Sequence, residues 1–193
     1  PDSWFNLIVP GYYYRLLPDG AFYNDSGCGN TIATERPMVR KYIIESLKFW
    51  CQEYKISGFR FDLMGLIDTT TLSMAYTELE KIYSDIIMYG EPWPQGAQAE
   101  QDLGYQGAVS WLDGNRLAST IGVGGFNDQM RDAVRGGAWG GAQPGWVQGN
   151  TGANVGNIIN GIRGTIYGDK PLDPYKVVNY VSCHDNYTLF DHI

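Results

Sequence analysis

Apolar positions along the chain fall into two periods. From Thr34 to Tyr54, the residues Val39, Ile43, Leu47, Trp50 and Tyr54 recur at three- and four-residue intervals, the spacing of one face of an α-helix. Thr34 is placed to cap that helix and Glu35 suits the positive end of its dipole. Pro37 is tolerated so early because its missing N–H would be unpaired there anyway. After a break at Ile56-Ser57-Gly58 the period becomes two. Phe59, Phe61 and Leu63 fall on one face and Arg60, Asp62 and Met64 on the other, which predicts a strand with a charged pair on one side. Asp68 and the threonines behind it open a second helix, carried by Leu72, Tyr76, Leu79 and Tyr83. The run Ile86 to Tyr89 predicts a second strand, stopped at Gly90-Glu91-Pro92-Trp93 because proline cannot continue a ladder. Helix, strand, helix, strand within about 55 residues is the pattern of right-handed parallel crossover units. A parallel α/β sheet is the expected consequence.

Further along, Ser119 to Phe126 reads as a glycine-rich strand and Asn127 to Val134 as the start of a helix. Residues 136–168 hold eleven glycines, with Trp139 and Trp146 among them, and read as a long structured loop around a short helix near Asn154 to Ile162. Long loops of this kind in compact domains are functional or mobile; a glycine-rich excursion with no contact to substrate is the alternative. Val177 to Cys183 reads as a third strand, ending in His184-Asp185-Asn186.

Composition narrows the class. Hydrophobic residues make up 44%, aromatics 14% and charged residues 18% of the 193, the make-up of a globular core and not of a disordered chain. The length exceeds the commonest domain of about 100–150 residues and falls short of the roughly 250 of an eight-stranded α/β barrel, so it suits one domain or part of one. A net charge of -7 gives nucleic-acid binding no electrostatic footprint. No run of about 18 apolar residues occurs, and Pro1-Asp2-Ser3-Trp4 lacks the features of a signal peptide. The expectation is a soluble chain with no membrane partner, cytoplasmic or secreted. Cys28, Cys51 and Cys183 are odd in number and widely spaced, which predicts unpaired thiols, and two histidines, His184 and His192, are too few for a His-rich zinc site. Chemistry therefore falls to carboxylates.

Three expected strands end in an acid: Asp62, Glu91 and Asp185. In a parallel sheet or barrel the C-terminal strand ends gather at one rim, where active sites belong. Two neighbouring carboxyls in a mostly apolar setting are the equipment of glycosidic cleavage, one as nucleophile and one as proton donor. Arg60, on the same strand face as Asp62, favours the ionised carboxylate that a nucleophile needs. An acid at a single strand end is more often a helix cap or a solvated residue, but three coinciding shift the balance; Arg60 with Asp62 also fits a structural ion pair. A carboxylate cluster holding Mg²⁺ for phosphoryl transfer would want a glycine-rich phosphate loop, and the sequence has none.

At these residues the sequence resembles the α-amylase family, glycoside hydrolase family 13. Gly58 to Gly65, Tyr89 to Trp93 and Tyr180 to Asn186 are similar to that family's second, third and fourth conserved segments. Val9 to Arg15, Asn24 to Asn30 and Phe126 to Ala133 look like the intervening stretches of its type I pullulanase branch. The resemblance spans nearly the whole chain, and the motifs agree in order and spacing.

The resemblance implies a (β/α)8 barrel of which residues 1–193 form an incomplete catalytic part, from the loop after strand three to strand seven, with no second domain. It implies Asp62 at the end of strand four as nucleophile, Glu91 at the end of strand five as acid/base, and Asp185 at the end of strand seven stabilising the transition state. Arg60 would bond the nucleophile, His184 would contact sugar hydroxyls, and Trp93 matches the aromatic that supports a sugar in debranching enzymes; core roles for His184 and Trp93 are the alternatives. The implied activity is hydrolysis of α-1,6-glucosidic links in pullulan, glycogen or starch with retention of configuration. An isoamylase-like enzyme or amylase, and a non-catalytic carbohydrate-binding fragment, are the competing readings. No cofactor is implied; calcium enters by family habit only, and no Asp-x-Asp-x-Asp-Gly loop is present. The family's first segment, Asp-x-x-x-Asn-His, and the type I marker Tyr-Asn-Trp-Gly-Tyr-Asp-Pro do not occur here, nor does an eighth strand. A barrel lacking those parts leaves edges uncovered, so residues 1–193 alone are expected to be poorly stable and inactive.

Overall fold

The computed structural model describes residues 3–93, 114–137, 143–166 and 173–193. They form two compact units, one ending at Val123 and the other starting at Gly124.

The first unit holds α1 (Trp4–Ile8), α2 (Pro37–Tyr54), β1 (Gly58–Phe61), α3 (Thr69–Glu80), β2 (Ile87–Gly90) and α4 (Gly114–Ser119). Strands β1 and β2 pair in parallel, with Gly58 opposite Ile87 and Phe61 opposite Gly90. Helices α2 and α3 pack on each other. Leu72, Ala75 and Leu79 turn inward from α3, as its spacing predicts, although Tyr76 is only half-buried. The inward face of α2 is rotated from expectation: Val39, Ile44, Leu47 and Cys51 are buried, while Trp50 and Tyr54 are 42% and 61% exposed. Phe49, Trp50 and Tyr54 pack their rings on one another on the outer side. An aromatic cluster and a core stripe share one spacing, so hydropathy alone does not separate them. Burial pushes the Cys51 thiol up, and all three cysteines are free.

The entry to α2 also differs. Pro37 is the first helical residue, so Arg36 occupies the cap position, and no side chain caps the end. Thr34 instead brackets α3: its hydroxyl accepts from the Asp68 N–H at 3.0 Å and its carbonyl from the Thr71 hydroxyl at 3.0 Å. Asp68 caps α3 by accepting from the Thr71 N–H at 2.9 Å, and pairs with Arg40 at 3.2 Å. Glu35 lies outside the helix and pairs with Arg15 at 3.1 Å, the two side chains being 7% and 0% exposed. The Arg15 guanidinium also donates to the Leu66 carbonyl at 3.0 Å, tying the N-terminal loops to the turn after β1.

Strand β1 is shorter than expected. Leu63 takes a left-handed conformation, φ 44° and ψ 45°, and the chain enters a 3₁₀ turn, Met64–Leu66. Met64 is thereby fully buried and leaves the Arg60–Asp62 face. Ser119, expected to begin a strand, ends α4 instead.

The second unit holds most of β3 (Val123–Phe126), α5 (Asp128–Arg135), α6 (Thr151–Ile162), β4 (Val177–Val178) and α7 (Leu189–His192). Strands β3 and β4 pair in parallel through Gly125–Val177 and Phe126–Val178, and α5 packs on α6. Asn127 caps α5 by accepting from the Met130 N–H at 3.1 Å. The expected third strand shrinks to two residues because its neighbour runs out: the Asn127 N–H donates to the Val178 carbonyl at 3.0 Å, and the chain there turns into α5. Within the glycine-rich stretch a 3₁₀ turn at Trp146–Gln148 precedes α6; Trp139 and Gly168 lie outside the described residues. Among the described residues no helix is long and apolar enough to cross a membrane.

The Arg15–Glu35 pair gives a stability test. Glu35→Ala strands a buried guanidinium and is expected to cost about 3–5 kcal/mol in urea unfolding, whereas joint replacement by Met at 15 and Leu at 35 is expected to cost far less.

Candidate active site

The site in the first unit is built where β1 and β2 end. Arg60 stands on β1 and Asp62 just past its end, and the register that pairs Phe61 with Gly90 carries Glu91 just past the end of β2. Glycine is required at 90: a Cβ there would lie 2.4 Å from the Phe61 carbonyl oxygen and 2.9 Å from Met64. The Arg60 guanidinium donates to Asp62 Oδ1 at 2.5 Å and, through its other terminal nitrogen, to Glu91 Oε1. The Leu63 N–H donates to Glu91 Oε2 at 2.7 Å, so each oxygen of Glu91 is held by a separate donor. Glu91 is buried, whereas the Asp62 side chain is 70% exposed, and oxygens of the two carboxyls approach within 4.8 Å. One carboxyl is thus locked in the protein and the other offered to a ligand, the asymmetry from which two chemical roles are made.

Trp93 is fixed through its backbone. The Gly65 N–H donates to the Glu91 carbonyl at 2.9 Å, and a Cβ at 65 would sit 1.7 Å from the Trp93 oxygen. Pro92 is buried between them in sequence and Trp93 is half-buried. A cavity of about 340 Å³ opens beside Asp62, lined in part by Ser26, Asn30, Thr31, Phe61 and Leu63. The Asn24 to Asn30 loop keeps its shape by its own bonds, with Asn24 Oδ1 accepting from the Gly29 N–H at 2.7 Å and the Ser26 hydroxyl donating to the Asn30 carbonyl at 2.6 Å.

In the second unit His184 and Asp185 stand side by side, His184 Nε2 lying 3.3 Å from Asp185 Oδ1, and both are exposed. Cys183 Sγ lies 3.1 Å from His184 Nδ1. Asp185 does not end a strand as expected; it follows a non-repetitive segment whose side chains are held by α5. Asn127 donates to Asn179 Oδ1 at 2.9 Å, Arg131 donates to the Tyr180 hydroxyl at 2.8 Å, and that hydroxyl donates to Asp128. Burial raises the Asp128 carboxyl above the usual range, against the opposing pull of Tyr180 and Arg131. Burial, and then the bond and charge of Asp128, push the Tyr180 phenol well above its ordinary value.

Arg60, Asp62, Glu91 and Trp93 are thus brought together in one unit, and His184 and Asp185 are neighbours in the other. Sequence reasoning missed two donors, the Leu63 N–H and Arg135, which bonds the residues just after Asp185. The first has no residue-type signal, since leucine is a poor left-handed residue; Gly65 two positions on was the available hint.

No family model matches this sequence. The α/β framework with its parallel sheet matches that of solved pullulanase structures: the Paenibacillus barengoltzii pullulanase, in complex with maltohexaose and α-cyclodextrin, superposes with a TM-score of 0.83 at 38% identity, over 97% of this chain and 29% of that one. The chain is a relative of the pullulanases over nearly its whole length. It is 35% identical to the pullulanase of Bacillus subtilis (strain 168) over 98% of its residues and 26% of that protein, and 32% identical to the chloroplastic pullulanase 1 of Arabidopsis thaliana over 98% and 24%. It therefore spans about a quarter of the length of these curated relatives.

Two outcomes are expected. Gly65→Ala forces the Trp93 backbone away and is expected to alter Trp93 fluorescence while β1 and β2 persist. Tyr180, its phenol pushed up, contributes stability that is complete below its ordinary value of 10.0 and is lost as pH rises through the folded value. Tyr180→Phe is expected to make the alkaline fall of stability shallower by up to about one proton, read from urea midpoints above pH ~10.

Proposed function

We propose that these residues belong to a retaining glycosidase barrel, in which they supply strands four to seven, and that it cleaves α-1,6-glucosidic links in pullulan, glycogen or starch. The observation that carries the reading is the Arg60 guanidinium shared by Asp62 and Glu91 across two parallel strand ends, with carboxyl oxygens within 4.8 Å. That approach supports a double displacement, for which carboxyls stand about 5–5.5 Å apart, over single inversion at about 6.5–9.5 Å. The pullulanase relatives, and the maltohexaose and α-cyclodextrin bound by one of them, support an α-glucan as substrate.

In this mechanism an Asp62 oxygen attacks the anomeric carbon as the bond to the leaving glucan breaks, and Glu91 gives its proton to the departing oxygen. Asp62 then carries the glucosyl group as an ester. Glu91, now a carboxylate, takes a proton from water, whose oxygen attacks the same carbon and frees Asp62, so two inversions give retention. Arg60 fixes the direction of both carboxyls. Asp185 stabilises the positive charge that develops on the sugar ring, His184 bonds hydroxyls beside it, and the Trp93 indole lies along the leaving sugar. The proton and electron balance closes with two carboxyls and water, and no metal is assigned a step.

The test uses a natural full-length chain containing these residues. Asp62→Ala is expected to abolish turnover, with added azide restoring part of it as a glucosyl azide of inverted configuration. Glu91→Ala is expected to spare substrates whose leaving group needs no proton. Undiminished turnover in Asp62→Ala removes the assignment. Trp93→Ala is expected to lower kcat/KM on pullulan by at least about tenfold, or about 1.4 kcal/mol, with the fold intact. Faster cleavage of linear amylose than of pullulan would move the enzyme to the general amylases.

A further inference from the structure

Arg135 ends α5 and is 0% exposed. Its guanidinium donates through one terminal nitrogen to the Tyr187 carbonyl and through the other to Asn186 Oδ1, the two residues that follow Asp185. Its Nε has no hydrogen-bond partner among the described residues, and no bond of its fork goes to a carboxylate. Burial and then the neighbouring Arg131 work against its charge, opposed in part by Asp132, Tyr180 and Asp128 at longer range. A buried cation with no carboxylate in direct contact is a poor source of stability, and an apolar side chain of similar volume generally serves packing better. A guanidinium offers what an apolar chain cannot, a rigid planar fork whose two arms fix two acceptors at once.

Those acceptors lie in a loop with its own closure. The Leu189 N–H donates to the Ser182 hydroxyl at 2.9 Å, and Thr188 and Asp191 cap α7 reciprocally. The base of the loop is therefore tied, while its crest carries His184 and Asp185 on an exposed, non-repetitive backbone. Arg135 reaches that crest from a helix that is itself anchored to the same segment through Asn127 and Arg131.

We infer that Arg135 is a positioning residue: it holds the Cys183 to Tyr187 backbone so that His184 and Asp185 meet the sugar in one fixed geometry. The inference rests on the glycosidase reading for its catalytic consequence and on the loop contacts alone for its structural one. Misplacement of a charge-stabilising group by a fraction of its bond length lowers the rate of the chemical step more than it weakens binding.

The experiment combines hydrogen exchange with kinetics in a full-length natural chain. Arg135→Met is expected to speed amide exchange in the 183–187 peptide by about tenfold while β1 and β2 keep their protection. On pullulan it is expected to lower kcat about a hundredfold with KM within about threefold, and Arg135→Lys to recover about a tenth of the lost rate or more, since one arm of the fork is replaced. Asn186→Ala, which leaves the buried arginine in place, is expected to move the same exchange and the same kcat in the same direction, and serves if Arg135→Met does not fold. Unchanged exchange at 183–187 in the folded variants overturns the inference, as does an exchange increase spread evenly over the protein. Should the wild-type enzyme turn over no α-glucan, the glycosidase reading falls, and the exchange data still decide for or against the tether.

Discussion

One guanidinium, that of Arg60, answers two carboxylates on two different strands, and the geometry of the first unit follows from that sharing. Without the cation, two like charges within 4.8 Å repel by on the order of 1–3 kcal/mol, the exposure of Asp62 placing the value toward the lower end. Sharing demands a parallel register that brings Glu91 level with Asp62, a glycine at 90 that lets the Phe61 carbonyl approach, and a backbone reversal at Leu63 that turns its N–H onto Glu91. Each demand is met by a different residue, and each is local to the strand ends.

Arginines meet the irregular chain that follows β1 and the irregular chain that follows β4. Arg15 grips the Leu66 carbonyl behind β1, Arg131 the Tyr180 hydroxyl behind β4, and Arg135 the crest that follows. Past the last ladder bond the backbone carbonyls lose their partners, and a buried carbonyl without one is costly. A guanidinium carries five donors on a planar group, so it can replace several missing ladder bonds from a single position. Arg15 and Arg135 are buried and donate to backbone carbonyls, whereas Arg131, also buried, spends its donors on the Tyr180 hydroxyl and on Asp128 and Asp132.

Much of this was legible in the sequence. The strand–helix alternation from residue 34 to 93 predicted the elements and their parallel pairing, because period and chain length fix both. The Arg60–Asp62 pair was visible as a charged face, although the strand ends at Phe61 and a turn carries Asp62, and the arrest at Pro92 put Glu91 at the end of β2. What escaped was decided by contacts between distant residues. The face of α2 depended on whether Trp50 and Tyr54 packed with each other or inward. Thr34 looked like a cap and served Asp68 instead, thirty-four positions on. The strand through Val177 was read too long, since apolar alternation continues while its partner strand has already turned into α5.

Leu63 keeps a backbone conformation that glycine or asparagine would hold with less strain, in the turn between the two carboxyls. A selection for heat resistance would therefore favour Gly or Asn at this site, as the unfavourable conformer of leucine costs about 1–2 kcal/mol. The same exchange would keep the backbone that aims the Leu63 N–H at Glu91 but would remove the leucine side chain from the wall of the cavity beside Asp62. Backbone ease and the lining of that cavity pull this position in opposite directions.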